Sequence, residues 1–228
     1  VASYLLDVAG AWKWLSGDHG AGMGMDRIPV SVALPSEEEL GRLKAADVPR
    51  LPAPLERDES RPLRWVTSRE GFEAMCEALG QEELLGLDVE TTLRGHALCL
   101  IQIATGEETY LVDAPELEDL SGLQEVLGRP EITKVIHNAS FERSVLGRHE
   151  ITLEGVVDTM VLSREVRGRK IEGGHSLKAV CERELGLSMD KAQQTSDWTR
   201  RPLREEQITY AALDAEVLLR VYDALRGG

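Results

Sequence analysis

Leu84-Leu85-Gly86-Leu87-Asp88-Val89-Glu90-Thr91-Thr92 begins as an apolar run and ends on two carboxylates and two threonines. An apolar run this short, bounded by turn residues, predicts a buried strand over residues 84–89. Side chains alternate along a strand, so Asp88 and Glu90 leave it on one face, about 7 Å apart, while Val89 turns to the other. Two carboxylates so arranged form half a cage for a hard divalent cation. The triplet alone is unspecific, because about seven acid-x-acid triplets arise by chance among 40 acids in 228 residues. Its place directly after a buried strand sets it apart.

Residues 97–104 and 109–112 also predict strands, separated from the first by Thr, Gly and charged turns. Connections this brief favour an antiparallel meander, since parallel crossovers need a dozen or more residues. Further along, the pattern predicts a helix over residues 117–127 stopped by Gly128, a strand over 132–136 and a helix over 139–146. Helices follow over 158–166, 176–185 and 204–225, the last two closed by Gly186 and Gly227. From Leu63 onward this alternation predicts an α/β domain.

Residues 1–60 differ, with an apolar opening over residues 4–15, a glycine-rich patch over 17–24 and a run of prolines through Pro49, Pro52, Pro54 and Pro62. They are expected to form an appended segment and linker ahead of a domain over residues 61–228. Ser36 and Glu39 have the spacing of a capping box opening a short helix toward Ala46. Gly20-Ala21-Gly22-Met23-Gly24 lacks the Gly-Lys-Ser/Thr ending of a phosphate cradle and follows no strand, so it reads as a flexible turn.

With 26 Lys+Arg against 40 Asp+Glu, the net charge is −14. A composition of 42% hydrophobic and 29% charged residues excludes intrinsic disorder and collagen. Apolar stretches fall far short of the roughly 20 residues of a membrane span. The negative charge argues against adhesion to nucleic acid through a wide basic surface, yet leaves room for cations gathered locally. Cys76, Cys99 and Cys181 are far apart with no CxxC pair, so a reduced, cytoplasmic setting is expected.

Two further stretches carry chemistry. Val135-Ile136-His137-Asn138-Ala139-Ser140-Phe141-Glu142 passes from strand to helix with Glu142 on the first turn, where the positive helix start favours a carboxylate. Glu142 either faces the end of the neighbouring strand or is an ordinary solvated helix-start glutamate. Tyr210 and Asp214 are four apart and share a helix face, while Leu213, Val217 and Leu218 belong to the core side. Such a pair is either functional or a plain polar stripe.

Taken in order, these pieces resemble the DEDD superfamily of metal-dependent 3′-5′ exonucleases, in its tyrosine-bearing branch and most closely ribonuclease D. The resemblance runs from about Leu63 to Leu225. It includes Ser176-Leu177-Lys178, Glu184-Leu185-Gly186, Asp190-Lys191, Gln194-Thr195-Ser196-Asp197-Trp198 and Arg201-Pro202-Leu203. It implies the ribonuclease H-like fold: a mixed sheet, three antiparallel strands then parallel ones, flanked by helices. It also implies Asp88, Glu90, Glu142 and Asp214 as ligands of two Mg²⁺ or Mn²⁺ ions. Phosphodiester hydrolysis needs a nucleophile near neutral pH, a stabilised negative transition state and a helped leaving oxygen, and two such ions serve all three. Clustered carboxylates repel by a few kcal/mol per close pair at an effective dielectric near 20, which the ions would cancel. Tyr210, with an unperturbed pKa of about 10, is a poor base. It is expected to hold the attacking water. The family pattern usually carries Asp where this chain has Glu142, one methylene longer. Asp158 is a fallback acid, expected to have a supporting role.

For substrate contact, His137 and Asn138 stand beside the terminal nucleotide or, for His137, serve as a buried residue bonded to backbone. Lys191, Gln194, Trp198, Arg200 and Arg201 form a basic and aromatic cluster suited to phosphate contact and stacking on a single-stranded end. The alternative is a loop whose tryptophan packs in the core while its arginines are solvated. The resemblance implies a nucleic acid with a free 3′ end as partner, and release of nucleoside 5′-monophosphates, with RNA and a tRNA-like tail favoured. DNA is the nearest rival, and a catalytically weak nucleic-acid-binding module, its site compromised by Glu142, is another. Oligomeric state is left open.

Overall fold

The structure, a computed structural model, describes residues 51–227. The expected capping-box helix, the glycine patch and the rest of residues 1–50 lie outside the described residues. The elements are β1 (Ala53–Pro54), β2 (Leu63–Val66), α1 (Arg69–Leu79), β3 (Leu84–Thr91), β4 (Leu98–Ala104), β5 (Thr109–Asp113), α2 (Gln124–Leu127), β6 (Thr133–Ile136), α3 (Ser140–Gly147), β7 (Val156–Asp158), α4 (Thr159–Arg167), α5 (Leu177–Leu185), β8 (Leu187–Ser188) and α6 (Glu205–Gly227). No described helix is long and apolar enough to cross a membrane.

Six strands form one sheet in the order β2-β5-β4-β3-β6-β7. β3, β4 and β5 pair antiparallel, as their short connections require. β6 and β7 then add parallel to β3, and β2 pairs parallel with β5. This is the expected mixed α/β sheet flanked by helices.

Period-two alternation along β3 divides the molecule. Leu85, Leu87 and Val89 point into the main core with Phe72, Met75 and Leu79 of α1, Val126 and Leu127 of α2, and Val145 and Leu146 of α3. Gly86, Asp88 and Glu90 take the opposite face, on which α6 packs. That helix buries the small residues Ala211, Ala212 and Ala215, and its backbone comes so close that a Cβ at Gly86 would stand 2.2 Å from the Ala215 carbonyl oxygen. Glycine is needed here for space.

The expected helix over residues 117–127 is shorter in the structure. Asp119 accepts hydrogen bonds from the Ser121 amide (2.8 Å) and hydroxyl (3.0 Å), so a 3₁₀ turn starts only at Ser121 and runs into α2. β1, β2, β7, β8 and α1 go beyond the elements that the pattern predicts. α1 opens on Ser68, whose hydroxyl accepts from the Gly71 amide at 3.2 Å. Residues 51–60, expected as linker, lie along the domain. The Ala53 and Leu55 amides donate to Gly186 (3.0 Å) and Ser188 (2.8 Å) carbonyls, pairing β1 with β8. Arg57 donates to Glu216 at 3.0 Å.

Candidate active site

Asp88 and Glu90 leave β3 on the α6 face, just before a register shift between Glu90 and Thr91 against β4. Asp214 descends from α6, beside the Gly86–Ala215 contact. One ligand atom each from Asp88, Glu90 and Asp214 lie within 4.8 Å of one another. Burial pushes Asp88 above the ordinary carboxylate range. Burial, then Asp88 and Asp214, push Glu90 up. Burial and Asp88 hold Asp214 well above its usual value, against a hydrogen bond from Tyr210. Buried acids so close together need either protons or a cation to neutralise them. This donor set, all hard oxygen, fits a divalent ion.

Glu142 sits on the first turn of α3, buried, with Oε2 lacking any hydrogen-bond partner. It stands outside the tight triplet, yet Asp88 contributes, after burial, to raising it to about 8. Tyr210 is raised by burial first and Asp214 second, so its hydroxyl stays protonated. It can donate a hydrogen bond and is no base.

One open cleft of about 440 Å³ is lined by Asp88, Glu90, His137, Asn138, Glu142, Lys191, Gln194, Tyr210 and Asp214. Nine of the twelve residues singled out in the sequence therefore meet in it. His137 Nδ1 is 2.9 Å from Thr159 Oγ1, and burial lowers the ring to about 4, so it stays neutral near neutral pH. Asn138 adopts a left-handed φ of 66°. Its amide and that of Ala139 each donate to Asp158 at 3.0 Å. Asp158 also accepts from Met160 (2.9 Å) and Val161 (3.4 Å), capping α4. Its oxygens serve backbone amides, and it thereby fixes the β6-to-α3 turn that aims Glu142.

Three expected substrate contacts do not reach the cleft. Trp198 is 1% exposed and packs among Leu100, Leu111, Leu203 and Ala211, with its ring 6.2 Å from that of Tyr210. An indole gains more from that apolar seat than from solvent. Arg201 donates to both Asp113 oxygens, and also to the Cys99 (3.1 Å) and Trp198 (2.9 Å) carbonyls. It ties its loop to the ends of β4 and β5. Arg200 is exposed outside the cleft.

The structure adds Leu93, His96, Phe141, Met160, Ser176 and Leu177 to the cleft lining. It also places Gln102 opposite Asp88 across β3 and β4, fully buried, with neither side-chain polar atom partnered. A lone amide inside the apolar run Leu98-Cys99-Leu100-Ile101-Gln102-Ile103-Ala104 was the signal for it.

A family model described as 3′-5′ exonuclease matches residues 63–227. The chain belongs to the 3′-5′ exonuclease family. Among relatives, DNA polymerase I of Aquifex aeolicus is 35% identical over 71% of this chain and 27% of its own length. The exosome complex exonuclease RRP6 of Saccharomyces cerevisiae is 34% identical over 74% of this chain and 23% of its own. The crystal structure of Escherichia coli RNase D, an exoribonuclease involved in structured RNA processing, superposes with a TM-score of 0.65 at 29% identity, covering 72% of this chain and 44% of that one. The chain thus spans less than half the length of each. Exonucleases of this family depend on divalent metal, which the acidic triplet suits.

Proposed function

We propose that this chain is a 3′-5′ exonuclease that releases nucleoside 5′-monophosphates from the free 3′ end of single-stranded RNA. The observation that carries this reading is the convergence of Asp88, Glu90 and Asp214 to within 4.8 Å, with Glu142 and Tyr210 on the same cleft. Asp88, Glu90, Glu142 and Asp214 would hold two Mg²⁺ or Mn²⁺ ions, which supply an acidified water and neutralise charge on the scissile phosphate and leaving oxygen. Tyr210, kept protonated, orients the attacking water by hydrogen bond. His137, Asn138, Lys191 and Gln194, which all line the cleft, bind the terminal nucleotide and its phosphate. Asp158 holds the Asn138 turn in place.

Likeness to an RNase D and to RRP6 favours RNA, whereas likeness to a DNA polymerase I supports DNA as the second reading. Matched 5′-labelled RNA and DNA strands, digested with and without Mg²⁺ or Mn²⁺ by the chain and by Asp88→Ala, test both. Stepwise shortening from the 3′ end, faster on RNA, dependent on metal and abolished by Asp88→Ala is expected. Faster loss of DNA would move the assignment to the second reading. Metal-independent cleavage, or full activity of the variant, would overturn it altogether.

A further inference from the structure

A chain of net charge −14 must concentrate its cations to hold a polyphosphate. Two seven-residue windows carry a net charge of +3. In residues 198–204 the cations are Arg200, Arg201 and Arg204, but Arg201 is tied to Asp113 and Arg204 donates to Gln193 and Gln207. The other window, residues 164–170, has Arg164, Arg167, Arg169 and Lys170 against Glu165 (4 − 1 = +3). Arg167 bridges to Glu184 at 2.9 Å. Arg164, Arg169 and Lys170 are exposed and have no salt-bridge partner among the described residues.

Their placement matters more than their number. α4 is capped by Asp158, the residue that grips the Asn138 turn, and its Met160 lines the cleft. Arg164 is four residues on, so it lies on the Met160 face about 6 Å further along the helix. Arg169 and Lys170 follow where the helix ends, in the loop that returns to the cleft at Ser176. Burial is the main reason that the His137 ring stays uncharged, and the charges of Lys191 and Arg164 add to it. Positive charge therefore continues from the cleft lining along α4 and into the loop that follows it.

We propose that Arg164, Arg169 and Lys170 form a track for the backbone phosphates upstream of the 3′ end. This rests on the exonuclease reading and adds a length requirement to it. Nucleotides beyond the terminal few are held by charge alone, so a long strand binds more tightly than a short one and without base preference.

The test compares the chain with Arg164→Ala/Arg169→Ala/Lys170→Ala and with a control of equal net charge, Arg64→Ala/Arg69→Ala/Arg226→Ala. Binding of single-stranded RNA of twelve and of three nucleotides, with a 3′-terminal phosphorothioate to slow cleavage, is read by fluorescence anisotropy across a salt series. Loss of three phosphate contacts should weaken the long strand about tenfold and cut its log–log salt slope by about 2. The short strand and the control variant should change less than about twofold. An unchanged long-strand affinity, equal weakening of both lengths, or an equal effect in the control would each overturn the track. Mononucleotide release is followed separately on unmodified strands. Absence of release from the unaltered chain would overturn the exonuclease reading without touching the binding result, and release with an unaffected triple variant would overturn only the track.

Discussion

Tyr210 and His137 face the same cleft, and their environments push them in opposite directions. Burial and Asp214 keep the Tyr210 hydroxyl protonated, so its work is to donate. Tyr210→Phe is expected to lower kcat about a hundredfold, the range of a positioned hydrogen-bonding group, with KM within about twofold. A variant at full rate would remove Tyr210 from the chemistry. Burial lowers His137 to about 4, so this ring should contribute no step near 6.5 to kcat, and a pH–rate profile whose shape in that range is unchanged by His137→Asn checks this. Asp158 anchors four backbone amides, two in the turn before α3 and two at the start of α4. Asp158→Ala strips a helix cap and leaves the Asn138 and Ala139 amides without that acceptor, so a loss of about 2–3 kcal/mol in urea denaturation is expected.

The element that decides the site is α6. It is long, it is seated on β3 through Gly86, and it delivers Tyr210 and Asp214 from one face. Gly86→Ala would drive a methyl into the Ala215 carbonyl. The helix must shift, at a cost of about 1–3 kcal/mol. Because Asp214 adjoins Ala215, activity should fall further than that loss alone explains. Comparing the urea midpoint with kcat at a temperature where the variant is fully folded checks this, and unaltered kcat would show that α6 can move without disturbing the acids. Further along the helix, Glu216 accepts from Arg57 (3.0 Å) and from the Thr109 hydroxyl (2.6 Å), holding residues 51–61 against the domain. Glu216→Ala would leave Arg57 and Arg61, both mostly buried, without their anion, and about 3 kcal/mol of stability should go with it.

At the scale of the whole molecule, Asp88, Glu90, Glu142 and Asp214 all bind protons more tightly in the folded chain than in the unfolded one. The stability that this contributes is fully present below the unfolded carboxylate value of about 4. It is lost as pH rises through the folded values, about 8 for Glu142. The metal-free chain should therefore melt at a lower temperature near pH 8 than near pH 5. A divalent cation replaces the protons, so Mn²⁺ should raise Tm more at the higher pH. Thermal melts at both pH values, with EDTA or Mn²⁺, test it, and an increment independent of pH would mean that these acids are not where the ion binds.

Local periodicity made much of this legible in advance. The alternation of Leu85, Leu87 and Val89 with Asp88 and Glu90 reports a strand with a dry face and an acidic one. The four-residue step from Tyr210 to Asp214 reports a shared helix face, and the short turns among β3, β4 and β5 report antiparallel pairing. Each depends only on backbone geometry over a few residues. Other assignments turned on partners far away in the chain. Arg201 looked like a phosphate contact until Asp113, 88 residues earlier, took its guanidinium. Trp198 was open to stacking or packing until β4, β5 and α6 enclosed it. Asp158 was a spare acid until the turn after β6 offered it two amides. The amino-acid order by itself determined the strand and helix faces and the kinds of side chain that each presents. Which charges meet each other and which meet solvent was decided only when the sheet closed, because hydrogen bonding and desolvation act over ångströms in space, whatever the separation along the chain.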